Sequence, residues 1–156
     1  MDVGDFFVVR TNGLAAAGIR VVTQSTVNHA GVYVGDGQIV EAQPGGARIA
    51  PASIYPDAVW STGKLGVTTD QGVLIGDEAR RLIGTPYSWV DCACVGEAHL
   101  FGWHVPGSVR DRLNRVDRLM CSQLVDTAYL HGGVHLFADG RIPGDVSPGD
   151  LYDLIR

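Results

Sequence analysis

Between Asn28 and Gln43 the chain carries the pattern that most narrows its possible folds. Asn28-His29-Ala30-Gly31-Val32-Tyr33-Val34 runs into Gly35-Asp36-Gly37, and Gln38-Ile39-Val40-Glu41-Ala42-Gln43 runs out. β-Branched and aromatic residues on both sides of a glycine-rich turn predict a β-hairpin. Loop length then decides what the hairpin presents. A three-residue loop over 35–37, with Gly37 left-handed, pairs Val34 with Gln38, Gly31 with Glu41 and His29 with Gln43. Side chains alternate faces along a strand, so His29, Gly31, Glu41 and Gln43 then share one face. A two-residue loop at Asp36-Gly37 shifts the register and carries Glu41 away from His29. The opposite face is mostly apolar, although Ala30, Val32, Val34, Ile39 and Val40 do not follow a clean alternation.

A second stretch, Leu119-Met120-Cys121-Ser122-Gln123-Leu124-Val125, places a cysteine at the start of a predicted helix. Leu124, Val125, Ala128 and Tyr129 recur at helical spacing, and Gly132-Gly133 close the run. A cysteine in the first turn faces unpaired backbone N–H groups and the positive end of the helix dipole. Both favour the thiolate, the nucleophilic form. Taken alone, this stretch fits a small buried packing residue better, the commoner use of a free cysteine. His29 and Glu41 are the candidate partners, although His29 taken alone fits a core or edge histidine with no role, and Glu41 a solvent-facing strand residue. A thiol nucleophile needs an imidazole within hydrogen-bond reach, and the imidazole needs a third group to fix its orientation. Glutamate is disfavoured in a strand such as Ile39-Val40-Glu41-Ala42, so its presence there asks for a reason.

The remaining chain reads as one α+β domain over residues 1–156. Asp5 to Arg10 is a β-prone run, Leu14 to Gln24 a weak helix, and Arg48-Ile49-Ala50 a short strand. Ala58 to Thr62 and Leu65 to Val67 read as further strands. Gly76 to Gly84 is a short helix with an acidic start and basic end. Residues 90–104 are ambiguous, 105–119 are helical from about Ser108, and Ser147-Pro148-Gly149-Asp150-Leu151 is a capped turn. A net charge of −5 argues against nonspecific nucleic-acid binding. Arg110, Arg112, Arg115 and Arg118 alternate with Asp111 and Asp117, as on a solvated helix face. No apolar run approaches the ~20 residues of a membrane span. Met1-Asp2-Val3-Gly4-Asp5 has neither a basic region nor an apolar core, so the expectation is cytoplasmic synthesis without a cleavable signal. Three cysteines do not make a disulfide scaffold. Cys92-x-Cys94 with His99 and His104 departs from zinc-knuckle spacing, and packing accounts for it better. With no phosphate loop or dinucleotide fingerprint either, neither metal nor cofactor is expected.

His29-Ala-Gly-Val-Tyr-Val-Gly-Asp-Gly37, then Ile39-Val-Glu-Ala42, then Met120-Cys-Ser-Gln-Leu-Val125 resembles the circularly permuted branch of the papain-like NlpC/P60 superfamily, which includes YiiX-like hydrolases. In that branch the histidine strand precedes the cysteine helix, as here. Gly4-Asp5-Phe6, Gly84-Thr85-Pro86-Tyr87-Ser88 and Ser147 to Leu151 are also similar to family features. The resemblance implies an antiparallel, partly barrel-like sheet packed against helices in a permuted papain-like topology. It implies Cys121 as nucleophile, His29 as base, and Glu41 as orienting residue with Gln43 as the alternative. The Cys121 N–H would form part of an oxyanion hole. Tyr33, Gln43, Tyr87 and Trp89 are the expected substrate contacts. The implied activity is amide hydrolysis through a thioacyl-enzyme, with peptidoglycan peptides as the leading substrate class. Delivery to a cell wall would then need a phage or specialised secretion route. A thiol acyltransferase of the lecithin:retinol type and a non-enzymatic structural module stay open, although the acyltransferase Asn-Cys-Glu-His pattern is absent from 120–123.

Overall fold

The computed structural model describes residues 1–12, 25–88 and 118–156. The helix expected over 14–24, the segment 90–104 and Trp89 lie outside them. So does the 105–119 helix, apart from Arg118 in a bend and Leu119 in a bridge.

Five strands form one antiparallel sheet: β1 (Phe6–Val9), β2 (His29–Gly35), β3 (Gln38–Gln43), β4 (Gly46–Pro51) and β5 (Val59–Trp60), in the order β4-β3-β2-β1-β5. Among the described residues the sheet is open, with β4 and β5 as its edges, so the expected barrel-like closure is not formed. The reason is local. The strands expected over 58–62 and 65–67 reduce to the two residues of β5, because Gly63 and Gly66 turn the chain with φ of 71° and 64°.

The β2–β3 hairpin takes the shorter of the two loops. Asp36 and Gly37 form a two-residue turn with φ of 52° and 69°, the positive values such tight hairpin turns require. Gly35 pairs with Gln38, yet Tyr33 pairs with Ile39 and Gly31 with Glu41. A β-bulge at Val34 absorbs the extra residue and returns Glu41 to the register a three-residue loop would have produced.

The sheet has two differently used faces. Phe6, Val8, Val32, Val40 and Ala42 point to the main core, where they meet Ile75, Leu124, Val125 and Tyr129. Those partners come from α1 (Thr69–Arg81) and α2 (Cys121–His131). Each fully buried large apolar side chain contributes about 1.5–3 kcal/mol, so this face holds most of the stability. Phe7, Val9, Ile39, Ala50 and Ala52 make a smaller cluster on the other face, with Tyr33, Tyr55 and Trp60 against it. The expected terminal turn is a full helix, α3 (Pro148–Ile155), capped by Ser147 and Asp150. Among the described residues no helix is long and apolar enough to cross a membrane.

Helix α1 begins seven residues earlier than expected, at a Thr68–Gln71 capping box. Gly72 and Gly76 weaken its helical signal but serve packing. A Cβ on Gly72 would lie 2.3 Å from the Val3 carbonyl oxygen, and one on Gly76 would lie 2.8 Å from Val3 Cγ1. The glycines let the segment before β1 lie directly on the helix. Gly72→Ala is therefore expected to destabilise the fold by about 1–3 kcal/mol, although alanine is the better helix former by about 1 kcal/mol. Chemical denaturation reads the sign; a stabilised variant would contradict the packing argument.

Candidate active site

His29 is the first residue of β2 and Cys121 the first residue of α2. Both starts are tied down. Asn28 donates its backbone N–H to Val9 (3.1 Å), accepts from the Thr11 N–H (3.0 Å), and donates its side-chain amide to Thr11 Oγ1 (2.6 Å). The Leu119 N–H donates to the Pro86 carbonyl (2.9 Å) and the Ser88 N–H to the Leu119 carbonyl (3.2 Å). Within the first turn of α2, the Met120 N–H donates to Gln123 Oε1 at 3.3 Å, and Ser122 Oγ donates to the Val146 carbonyl at 2.5 Å. The Cys121 N–H occupies the first helical position, where the helix itself offers no acceptor.

The three expected catalytic side chains meet. His29 Nε2 lies 2.6 Å from Glu41 Oε2, and Cys121 is near enough to the His29 ring to favour its charged form. With Nε2 committed to Glu41, Nδ1 is the nitrogen left for sulfur. Glu41 is 0% exposed, Cys121 4% and His29 7%. Burial disfavours the charged imidazolium, but hydrogen bonds to Cys121 and Glu41 outweigh it and raise the His29 pKa to about 9. Burial equally disfavours the Glu41 carboxylate, yet its bond to His29, with help from Tyr55 and Arg48, lowers its pKa to about 2. Both shifts favour the imidazolium–carboxylate form of the pair.

Glu41 is held on both oxygens. Oε2 accepts from His29 and from the Tyr55 hydroxyl at 2.7 Å. Oε1 accepts from Arg48 Nε at 3.0 Å, Arg48 Nη2 at 2.8 Å and Gln43 Nε2 at 3.1 Å. Gln43 also donates to the Tyr55 hydroxyl at 2.6 Å. Glu41 thus makes the contact with the ring, and Gln43 braces Glu41. Gly31, between them on the same face, leaves room for Phe7: a Cβ there would come within 2.7 Å of the Phe7 ring. That ring stands edge-on to His29, with centroids 6.1 Å apart, and Tyr55 flanks His29 at 5.5 Å.

The other sequence-derived residues are placed differently. Tyr33 sits at the turn end of β2, about 13 Å along the strand from His29. Its hydroxyl accepts from the Gly37 N–H at 3.1 Å, and its ring meets Trp60. Tyr87 forms a bridge with Leu119, two residues from Cys121, and packs against the main core. Trp89, Cys92, Cys94, His99 and His104 lie outside the described residues. Sequence reasoning missed Arg48 and Tyr55. Arg48 was within reach, because a tight turn at Pro44-Gly45 places it directly opposite Glu41. Tyr55, beside a short 3-10 helix (Ala52–Ile54), follows no periodic pattern.

No family model matches this chain, and no curated protein does. Among solved structures it is similar to the crystal structure of the metalloprotein yiiX from Escherichia coli O157:H7. The TM-score is 0.60 with 18% identity, covering 86% of this chain and 68% of that one. The fold is therefore YiiX-like: an α+β arrangement with an antiparallel sheet packed against helices.

The ion pair fixes a stability profile. Glu41, lowered from 4.5 to about 2, adds stability that is complete above pH 4.5 and lost as pH falls toward 2. His29, raised from 6.5 to about 9, adds stability that is complete below pH 6.5 and lost as pH rises through 9. Melting temperature is expected to peak between those limits. His29→Ala should remove the alkaline decline and cost about 1.5–3 kcal/mol at the optimum. A wild-type melting temperature that is flat from pH 6.5 to 9 would contradict the ion pair.

Proposed function

We propose that this chain is a cysteine hydrolase of permuted papain-like topology that cleaves an amide bond through a thioacyl intermediate. The observation that carries the reading is the meeting of Cys121, at a helix start, with a buried histidine whose far nitrogen is bonded to a carboxylate. Sγ attacks the carbonyl carbon as its proton resides on His29 Nδ1. The tetrahedral oxyanion is met by the Cys121 N–H, and collapse passes the Nδ1 proton to the leaving amine. Water, deprotonated by the same nitrogen, then attacks the thioester and releases the acid and the free thiol. Glu41 keeps the Nε2 proton in place and offsets the imidazolium charge.

The motif resemblance points to peptidoglycan peptides as the substrate, with Gln43, Tyr33, Tyr87 and Trp89 as candidate contacts. The protein yiiX is a metalloprotein by name, and among the described residues His29 and Glu41 do not suit that role. His29 Nε2 and Glu41 Oε2, at 2.6 Å, are hydrogen-bonded to each other rather than spaced around an ion whose ligand bonds are each about 2.0–2.2 Å. Among the described residues no group of three or more His, Cys, Asp or Glu side chains is arranged to hold a metal.

Incubation with defined peptidoglycan fragments, followed by mass spectrometry, tests the proposal. A thioacyl adduct on Cys121 and a newly released amine are expected, both lost in Cys121→Ala. Turnover should fall at least ~100-fold in His29→Ala. Transfer of the acyl group to an added amine or alcohol instead of water would make the chain an acyltransferase. No adduct, with Cys121 alkylated like a free thiol of pKa ~8.5 in both wild type and His29→Ala, would overturn the hydrolase reading.

A further inference from the structure

The Glu41 carboxylate makes more contacts than orienting one imidazole requires. A glutamate placed only to hold His29 needs one oxygen on Nε2. Here four side chains from three places, β2, β3–β4 and the loop after the 3-10 helix, converge on its two oxygens with five contacts. His29, Arg48 and Tyr55 are the titratable groups facing it, and Gln43 is the neutral one. Tyr55 is set for this purpose. It donates to Glu41 while accepting from Gln43, and its ring is packed against Phe7 at 5.3 Å. Arg48 reaches in from the edge strand with its side chain 55% exposed, so its guanidinium brings charge to Glu41 without full desolvation.

A buried carboxylate beside an imidazolium has two ways to be stable. It can stay charged, or it can take the ring proton so that both groups become neutral. The second outcome would leave His29 with the wrong protonation for Cys121, because Nε2 would be stripped and Nδ1 would have to carry the remaining proton. Donors on both carboxylate oxygens favour the charged form and select the first outcome. We propose that Tyr55 and Arg48 are positioning residues that keep Glu41 an anion, so that the Nε2 proton stays on His29 and the only proton exchanged is the one between Cys121 Sγ and Nδ1. The inference rests on the hydrolase reading above and assigns to it two residues that act through Glu41. Neither contacts sulfur or substrate in this role.

The test uses the full chain with Tyr55→Phe, Arg48→Gln and the double variant. Tyr55→Phe removes one hydroxyl and keeps the ring contacts. Arg48→Gln changes a half-exposed residue, so at least one variant folds. The side-chain carboxyl carbon of Glu41 is followed by NMR against pH, and Cys121 alkylation is measured over the same range. In wild type the Glu41 midpoint lies near the acid limit. It is expected to rise by about one pH unit or more in the double variant, with each single variant between, and Arg48→Lys should restore most of the shift lost in Arg48→Gln. Loss of packing alone would lower the melting temperature and leave that midpoint in place. If wild-type Cys121 is activated but the double variant's midpoint stays within about 0.3 unit of wild type, the dyad stands and the role of Tyr55 and Arg48 is overturned. If wild-type Cys121 reacts as an ordinary thiol, the hydrolase reading falls and the inference falls with it.

Discussion

A carboxylate with no solvent exposure, 2.6 Å from a histidine nitrogen, sets the conditions that the rest of this structure meets. Leaving such a charge unpaired in a low-dielectric interior costs many kcal/mol, so its position is tolerable only where donors surround it. That requirement reaches far along the chain. It needs Glu41 opposite Gly31, which the Val34 bulge provides, and Arg48 opposite Glu41, which the next tight turn provides. It also needs Tyr55 folded back over the strands. A one-residue slip in the first hairpin would place Glu41 among the apolar side chains of the main core, and one in the second would carry Arg48 away from it.

The sheet separates the two tasks of the fold. One face is sealed by α1 and α2 through Phe6, Val32, Leu124 and Tyr129, and this packing fixes where the first turn of α2 lies. The other face keeps a small aromatic group around His29 and Glu41, where polar atoms are satisfied side chain to side chain. Cys121, at the start of α2, favours the charged form of the His29 ring. Neither element contains the site alone. The proposed chemistry depends on the register of a hairpin near the N-terminus and on the docking of a helix that begins ninety-two residues after His29.

Much of this was legible in the sequence for identifiable reasons. The hairpin announced itself through β-branched strands around Gly35-Asp36-Gly37, and the Cys121 helix through Leu124, Val125, Ala128 and Tyr129. Both are local patterns. Glu41 stood out because a charge interrupts an apolar strand, and the structure gives it the partner that the irregularity implied. The loop length stayed open between two and three residues because a tight turn plus a bulge and a three-residue loop leave the same Gly31–Glu41 pairing. Helix α1 was read too short because Gly72 and Gly76 lower its propensity for the sake of contact with Val3, a tertiary demand that no local pattern reveals. Barrel-like closure came from the resemblance, and turns at Gly63 and Gly66 remove the strand length it would need. Tyr55 was invisible for the same kind of reason as α1: its value lies in a contact with a residue fourteen positions away.

In the proposed chemistry Cys121, His29 and Glu41 act as one unit. The direct measurement is the alkylation rate of Cys121 near neutral pH in wild type, His29→Ala, Glu41→Gln and the double variant. Because Glu41 acts on sulfur only through the imidazole, Glu41→Gln should slow the reaction when His29 is present, by roughly tenfold or more, and have almost no effect in the His29→Ala background. Equal slowing by Glu41→Gln in both backgrounds would show that the carboxylate and the thiol are not connected through His29, and the account would fail.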